Sequence, residues 1–150
     1  KSRITMKNLR YLFILIILIQ CNTTMNKPSI EAIDTEFNQT HEFNLQYFVI
    51  SDYKTIPVDS LLEDLSSFAN KNKIINLDED QTLFFYKKKI MSDYKDKIYE
   101  AATQNEFGGI MGQENDLVAK VWYKMDKEYI QYVYIYENNK LLKKVEFKVK

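Results

Sequence analysis

The chain has 150 residues, its 21 lysines and arginines are balanced by 21 aspartates and glutamates, and 45% of its residues are hydrophobic. Its single cysteine excludes an internal disulfide, and its single histidine, His41, has no second histidine and only that one cysteine beside it, which is too few for a zinc site of histidine and cysteine ligands. The length suits one domain of ordinary size, so stability must come from a hydrophobic core.

An unbroken apolar run over 11–19 lies between the basic residue Arg10 and the polar residues around Cys21. A helix that crosses a bilayer needs about 20 apolar residues, whereas the apolar part of a secretory signal needs roughly 7 to 15. The run therefore predicts a signal segment over 1–20 rather than a transmembrane helix. Met6, which is followed by a short basic stretch, is a natural start for that segment.

The segment Leu18-Ile19-Gln20-Cys21 resembles the lipobox of bacterial lipoproteins, in which an aliphatic residue stands three positions before the modified cysteine. Gln20 departs from the small residue that usually precedes the cysteine. The resemblance implies cleavage before Cys21, a lipid on its sulfur and an exported protein held at the cell envelope. We expect the protein to face the periplasm, with the outer cell surface as the alternative. An unmodified thiol after an ordinary signal is the alternative to the lipid.

Charge balance changes when the predicted signal is removed, because 1–20 contains four basic residues and no acidic one. The remaining chain has 17 basic and 21 acidic residues, a net charge of −4. Such a chain disfavours both nonspecific nucleic-acid binding and docking on anionic lipid by overall charge alone. We therefore expect membrane attachment through the lipid, no nucleic-acid partner and no cofactor.

Residues 21–40 are mostly polar, which predicts a lipid-anchored tether ahead of a single domain over 41–150. The first predicted strand covers 43–51, where alternating polar and apolar residues give way to a fully apolar run. A helix is predicted over 58–71, because its leucines recur at spacings of three and four.

Aromatic strand formers predict a second strand over 81–88, and 92–104 is predicted as a short helix, with a strand as the alternative. The last third has three β patterns joined by short polar turns, at 117–124, 128–136 and 141–149. These predict an antiparallel meander. The predicted fold class is α+β: an antiparallel sheet of about five strands packed on the helix at 58–71 and on the second short helix.

All three glycines stand close together immediately before the meander, at Gly108, Gly109 and Gly112. Their concentration indicates backbone angles that other residues avoid, a mobile loop, or close approach to a ligand. The spacing matches neither a phosphate-binding loop nor a dinucleotide fingerprint. We predict a binding site here, with plain turn geometry as the alternative.

Aromatic residues dominate the meander, and alternation divides those of its middle strand between two faces. The set predicted to be buried is Tyr129, Gln131, Val133 and Ile135. The opposite set is Ile130, Tyr132, Tyr134 and Tyr136. Together with Trp122, Tyr132 and Tyr134 are predicted to present rigid rings to a protein, peptide or glycan. Ordinary cross-strand packing is the alternative.

Charged clusters are predicted to be solvated rather than functional. The acidic stretch 78–80 lacks the spacing of a calcium-binding loop. Lysines 87–89 and the lysines of the last strand are typical of edges that must stay soluble.

The leading prediction of function is a lipid-anchored, non-enzymatic binding or accessory module at the cell envelope, since no nucleophile, base and metal ligands occur together. One alternative is a small hydrolase or lyase that uses carboxylates near the glycines, namely Asp93, Asp96 or Glu114. Another is an immunity or inhibitor protein that neutralises a toxin by surface complementarity.

Overall fold

The structure, a computed structural model, describes residues 27–40, 44–73, 79–89, 92–104, 108–125 and 129–148. The predicted signal segment, Cys21 and His41 lie outside the described residues, as do the side chains of Asp93 and Tyr129. Besides two short 3-10 helices, Tyr53–Thr55 and Glu114–Asp116, nine α-helices and β-strands occur in the described part of the chain. In order they are β1 (Ser29–Ala32), α1 (Thr35–Thr40), β2 (Leu45–Ser51), α2 (Val58–Asn72), β3 (Gln81–Lys87), α3 (Ser92–Gln104), β4 (Leu117–Met125), β5 (Tyr129–Glu137) and β6 (Lys140–Lys148).

The six described strands form one sheet whose spatial order follows the chain, from β1 to β6. Neighbouring strands are antiparallel except β2 and β3, which run parallel. Parallel neighbours need a long crossover connection, and α2 provides it. The predicted α+β class, the C-terminal meander and both predicted helices are confirmed. The sheet has six strands rather than about five, and it is mixed rather than wholly antiparallel.

The predicted tether differs from the structure over 29–40, where β1 and α1 belong to the folded unit. Strand β1 pairs antiparallel with β2 at the edge of the sheet. Ile33 and Phe37 are only 4% and 2% exposed. Asp34 caps α1 by accepting the Phe37 N–H at 3.1 Å, and this bond is the main cause that lowers the pKa of Asp34. Two buried side chains and a cap are enough to order this short polar segment.

Helix α2 covers one side of the sheet and builds the larger core. Its buried face holds Leu61, Leu62, Leu65 and Ala69. These side chains belong to the same cluster as the inward residues of β2 to β5, which include Phe48, Phe85, Val121 and Val133. The three-and-four spacing of leucines in the sequence therefore marks the side of α2 that faces the sheet.

A second core lies on the other side of the sheet but extends over only part of it. There, Tyr47, Phe84 and Tyr86 of β2 and β3 pack with residues of α1, α3 and the glycine stretch, which are Phe37, Tyr94, Ile98, Ala101 and Ile110. Strands β2 and β3 are thus covered on both sides. In the described part of the chain, the second core reaches β4 only at Leu117, and no residue of β5 or β6 belongs to it.

Candidate functional site

The open side of the meander carries a row of aromatic rings. In β5 the side chains of Gln131, Val133 and Ile135 are buried towards α2, as the alternation predicted. The alternate residues point to the opposite side and are half-buried. We call this surface the tyrosine face and define it by Lys120, Trp122, Tyr132, Tyr134, Tyr136 and Lys144.

Neighbouring rings of the tyrosine face lie beside one another, stacked in two of the three pairs and tilted by 41° between Tyr132 and Tyr134. Trp122 lies directly opposite Tyr132 in the register of β4 and β5, and their ring centroids are 5.3 Å apart with an interplanar angle of 27°. Tyr132 and Tyr134 are 6.4 Å apart, and so are Tyr134 and Tyr136. The predicted residues Trp122, Tyr132 and Tyr134 are therefore brought together in one continuous aromatic surface.

Two lysines lie over these rings. The Lys144 ammonium is 4.5 Å from the centroid of Tyr132 and 5.3 Å from that of Tyr134, while the Lys120 ammonium is 4.8 Å from that of Tyr134. All three distances suit cation–π attraction. Burial, and secondarily the charge of Lys144, lowers the pKa of Lys120. A poorly solvated cation beside a second cation gains from any anionic group that approaches it.

Positive charge prevails across this side of the meander. By strand alternation and register, Lys124, Lys148 and Glu146 share it with the two lysines of the tyrosine face. Four lysines against one glutamate give the described positions a net charge of +3. The sequence predicted only a solubilising role for Lys144, as one of the lysines of the last strand, and did not single out Lys120; the signal for their place here is their register opposite Tyr134.

The tryptophan of the tyrosine face is held from the side by Asp80. The Trp122 indole N–H donates to Oδ2 of Asp80 at 3.1 Å, and the Met125 backbone N–H donates to Oδ1 at 2.8 Å. One carboxylate thus fixes both the ring and the end of β4. The sequence predicted a solvated acidic turn at Asp80, but in the structure its carboxylate holds Trp122 in the aromatic row.

The glycine stretch is explained by turn geometry and close packing. Gly108 has a φ of +68°, and a Cβ there would lie 2.8 Å from Cδ1 of Leu45. Its carbonyl accepts the Tyr47 hydroxyl at 2.6 Å, and the Ile110 N–H donates to the Tyr86 hydroxyl at 2.8 Å. These contacts account for Gly108 without a ligand. Binding at Gly108, Gly109 and Gly112 stays a prediction.

The carboxylates proposed for catalysis near the glycines include two whose side chains are described, and both are exposed. Glu114 accepts the Gly112 N–H at 2.9 Å, and hydrogen bonds from backbone N–H groups, its own first, lower the pKa of Glu114. Asp96 is exposed on α3. A general acid requires a raised pKa in an apolar pocket, so this arrangement does not favour acid–base catalysis at these two residues.

Comparison with protein-family models, with curated proteins and with solved structures finds no match for the chain. Among the described helices, none has the length and apolar content that a bilayer crossing requires. The described residues also contain no group of three histidine, cysteine, aspartate or glutamate side chains that could hold a metal ion. The tyrosine face therefore supplies the best-defined candidate site.

Proposed function

We propose that the protein is an envelope lipoprotein, attached to the membrane by a lipid on Cys21 and facing the periplasm, that binds an acidic surface of another envelope protein through its tyrosine face. The observation that carries this proposal is the row of four neighbouring rings with two lysines above it, on the part of that side of the sheet that the second core does not cover. The role is binding rather than catalysis.

Tyrosine and tryptophan are favoured at protein interfaces because they bring large rigid areas with little loss of side-chain entropy. Here the three tyrosines are half-buried, so their positions are already restricted before a partner binds. Pre-organisation of this kind lowers the entropic cost of association. The net positive charge of the same side of the meander favours a partner with acidic groups.

A protein partner is favoured over a glycan by the way the rings are arranged. Sugars stack on open ring faces, but the rings of Tyr132 and Tyr134 lie against neighbouring rings and beneath Lys144. Ring edges and phenolic hydroxyls remain for contact. Those groups suit carboxylates and backbone carbonyls of a protein surface.

The binding proposal is tested by capture from envelope extracts with the exported chain as bait. We expect the wild type to recover a partner that the Tyr132→Ser, Tyr134→Ser double variant loses. Tyr99→Ser is the matched control, because Tyr99 is 48% exposed on α3 and lies outside the tyrosine face. Charge reversal at Lys144→Glu should weaken recovery without removing a ring. Equal recovery by the wild type and the double variant would refute the role of this face.

The nature of the partner is read from the same capture. Protease treatment of the extract should abolish recovery if the partner is a protein, whereas a glycan would survive it. Circular dichroism of each variant establishes that the fold is retained.

The anchor is tested separately by mass spectrometry of the protein from native membranes. We expect the N-terminus to be Cys21 with a diacylglyceryl thioether, and we expect Cys21→Ser to move the protein into the soluble fraction. A leader that remains attached, or an unmodified thiol in the exported protein, would contradict the anchor.

A further inference from the structure

A cleft of about 900 Å³ opens at the end of the sheet where the parallel strands β2 and β3 finish. Ser51 ends β2, and Lys87 ends β3. Crevices at the carboxyl ends of adjacent parallel strands are common ligand sites. The lining includes Tyr53 and five lysines, and we call it the lysine cleft: Lys27, Lys54, Lys87, Lys88 and Lys89.

Three of these lysines are held by neighbours. Lys88 pairs with Glu31 at 2.7 Å, Lys89 pairs with Asp116, and the Lys87 ammonium donates to the Asn115 carbonyl at 2.7 Å.

The other two lysines are exposed, and among the described residues Lys27 and Lys54 have no carboxylate partner. Asp52 also lines the cleft. Burial raises the pKa of Tyr53 and so does the charge of Glu137, which therefore lies near the cleft. Five lysines against Asp52, Glu31, Asp116 and Glu137 leave a local charge of +1. The cleft therefore has an excess of positive charge, whereas the net charge of the whole chain is zero.

Position along the chain brings the lysine cleft close to the predicted lipid. Lys27 follows Cys21 by six residues, and an extended chain spans at most about 3.4 Å per residue, so the separation is at most about 20 Å. Strand β1 begins only two residues later, with Ser29 opposite Ser51 at the same end of the sheet. The chain therefore enters the fold beside the lysine cleft.

We propose that the lysine cleft binds the phosphate groups of anionic phospholipids in the membrane to which the protein is anchored. The proposal rests on the proposed function for its geometry, since the lipid on Cys21 places the cleft at the bilayer. Lysine is a suitable phosphate binder because its ammonium is a compact point charge with three donors. Screening over roughly 8 Å lets the local charge prevail over the net charge of the whole chain.

This docking orients the protein. With the ends of β2 and β3 at the headgroups, the strands stand away from the bilayer and the tyrosine face points sideways. A partner in the same envelope layer can then reach the rings without displacing the membrane contact. Attachment through Cys21 also raises the effective concentration of headgroups near the lysine cleft, so weak affinity is sufficient.

The test measures co-sedimentation of the exported chain, carrying Cys21→Ser so that no acyl group contributes, with phosphatidylcholine vesicles that contain or lack phosphatidylglycerol. We expect binding only to the vesicles with phosphatidylglycerol, and release by added salt. The Lys27→Gln, Lys54→Gln double variant should reduce the partition coefficient roughly thirtyfold.

The matched control removes two charges from the opposite end of the molecule, with Lys71→Gln and Lys73→Gln. Lys71 lies in the last turn of α2, about 20 Å along the helix from its start beside the cleft. This control should retain wild-type partitioning. Equal loss in both double variants would show dependence on net charge alone and would overturn the proposal, as would the absence of binding to phosphatidylglycerol.

A calorimetric titration with inorganic phosphate distinguishes a lipid headgroup from a free phosphate. Saturable phosphate binding without vesicle binding would assign the cleft to a soluble phosphate and overturn the lipid proposal. Neither assay uses the acyl chain or a protein partner, so failure here leaves the capture and mass-spectrometry results independent.

Discussion

Gly108 occupies a backbone position that only glycine fits without strain. Its φ of +68° disfavours side chains, and a Cβ would lie 2.8 Å from Cδ1 of the partly buried Leu45. We expect Gly108→Ala to lower the free energy of unfolding by about 2–3 kcal/mol, because the strain of the left-handed angle adds to the displacement of Leu45. The midpoint of guanidinium unfolding at neutral pH measures the loss.

Gly112 provides the matched comparison for this prediction. Its φ is +74°, but a Cβ there would meet no heavy atom within 4 Å. Gly112→Ala should therefore lower the free energy of unfolding only by the strain of the left-handed backbone angle, about 1 kcal/mol. Equal losses at the two glycines would contradict the importance of the Leu45 contact.

The sequence predicted unusual backbone angles at the glycines but not the contacts that surround them. Tyr47 and Gly108 are separated by 61 positions, and their hydrogen bond exists because the chain after α3 returns across β2 and β3. A residue pattern carries no information on such a return. The residues that Gly108 contacts depend on the order of the strands in the sheet, and the residue pattern does not determine that order.

At the scale of elements, the strands of the meander were predictable because each alternates cleanly and the turns between them are short. The direction of β2 relative to β3 was not predicted. The feature that goes with the parallel direction is a run of five consecutive buried residues at 46–50, which is typical of a strand covered on both sides. Strand β1 was not predicted, because a pattern of only four residues of mixed character is too short to indicate a strand. Pairing with β2 makes this segment a strand.

The contact between α2 and the meander contains a buried polar network centred on Gln131. Its Oε1 accepts the Ser66 hydroxyl at 2.5 Å, and its Nε2 donates to the Tyr123 hydroxyl at 2.6 Å. The Tyr123 hydroxyl in turn donates to Asn70 at 2.9 Å. Gln131 and Ser66 are buried, so each depends on the other for a hydrogen bond that water cannot replace.

Removing one partner from this network should be costly. We expect Ser66→Ala to lower the free energy of unfolding by about 1–3 kcal/mol, because the Oε1 of buried Gln131 loses its donor. Ser67→Ala is the control, since Ser67 is exposed on the same helix. Urea unfolding of both variants gives the difference. A loss at Ser67 as large as that at Ser66 would show that helix propensity, rather than the buried hydrogen bond, sets the cost.

At the scale of the whole molecule, buried tyrosines stand on both sides of the sheet. Tyr47 and Tyr86 belong to the smaller core and Tyr123 to the larger one. Burial raises the pKa of all three, and that of Tyr123 reaches about 12. The sequence predicted abundant strand tyrosines, but their ionisation depends on which side of the sheet the helices cover.

We therefore expect the free energy of unfolding to fall at alkaline pH through tyrosines of both cores. A tyrosine whose pKa is raised in the folded state stabilises the fold fully below the unfolded-state pKa of about 10, and this contribution is lost as pH rises from 10 towards 12. We expect each buried tyrosine to lower the free energy of unfolding by about 1 kcal/mol per pH unit in that range.

Guanidinium unfolding as a function of pH, in the wild type and in Tyr123→Phe, tests this expectation. The variant is less stable at neutral pH because the Tyr123 hydroxyl bridges Gln131 and Asn70, but its stability should fall less steeply above pH 10. Tyr99→Phe, at an exposed position, should keep the wild-type slope. If Tyr123→Phe also keeps that slope, the alkaline loss does not come from the larger core, and the transition belongs to the tyrosines packed against α1 and α3.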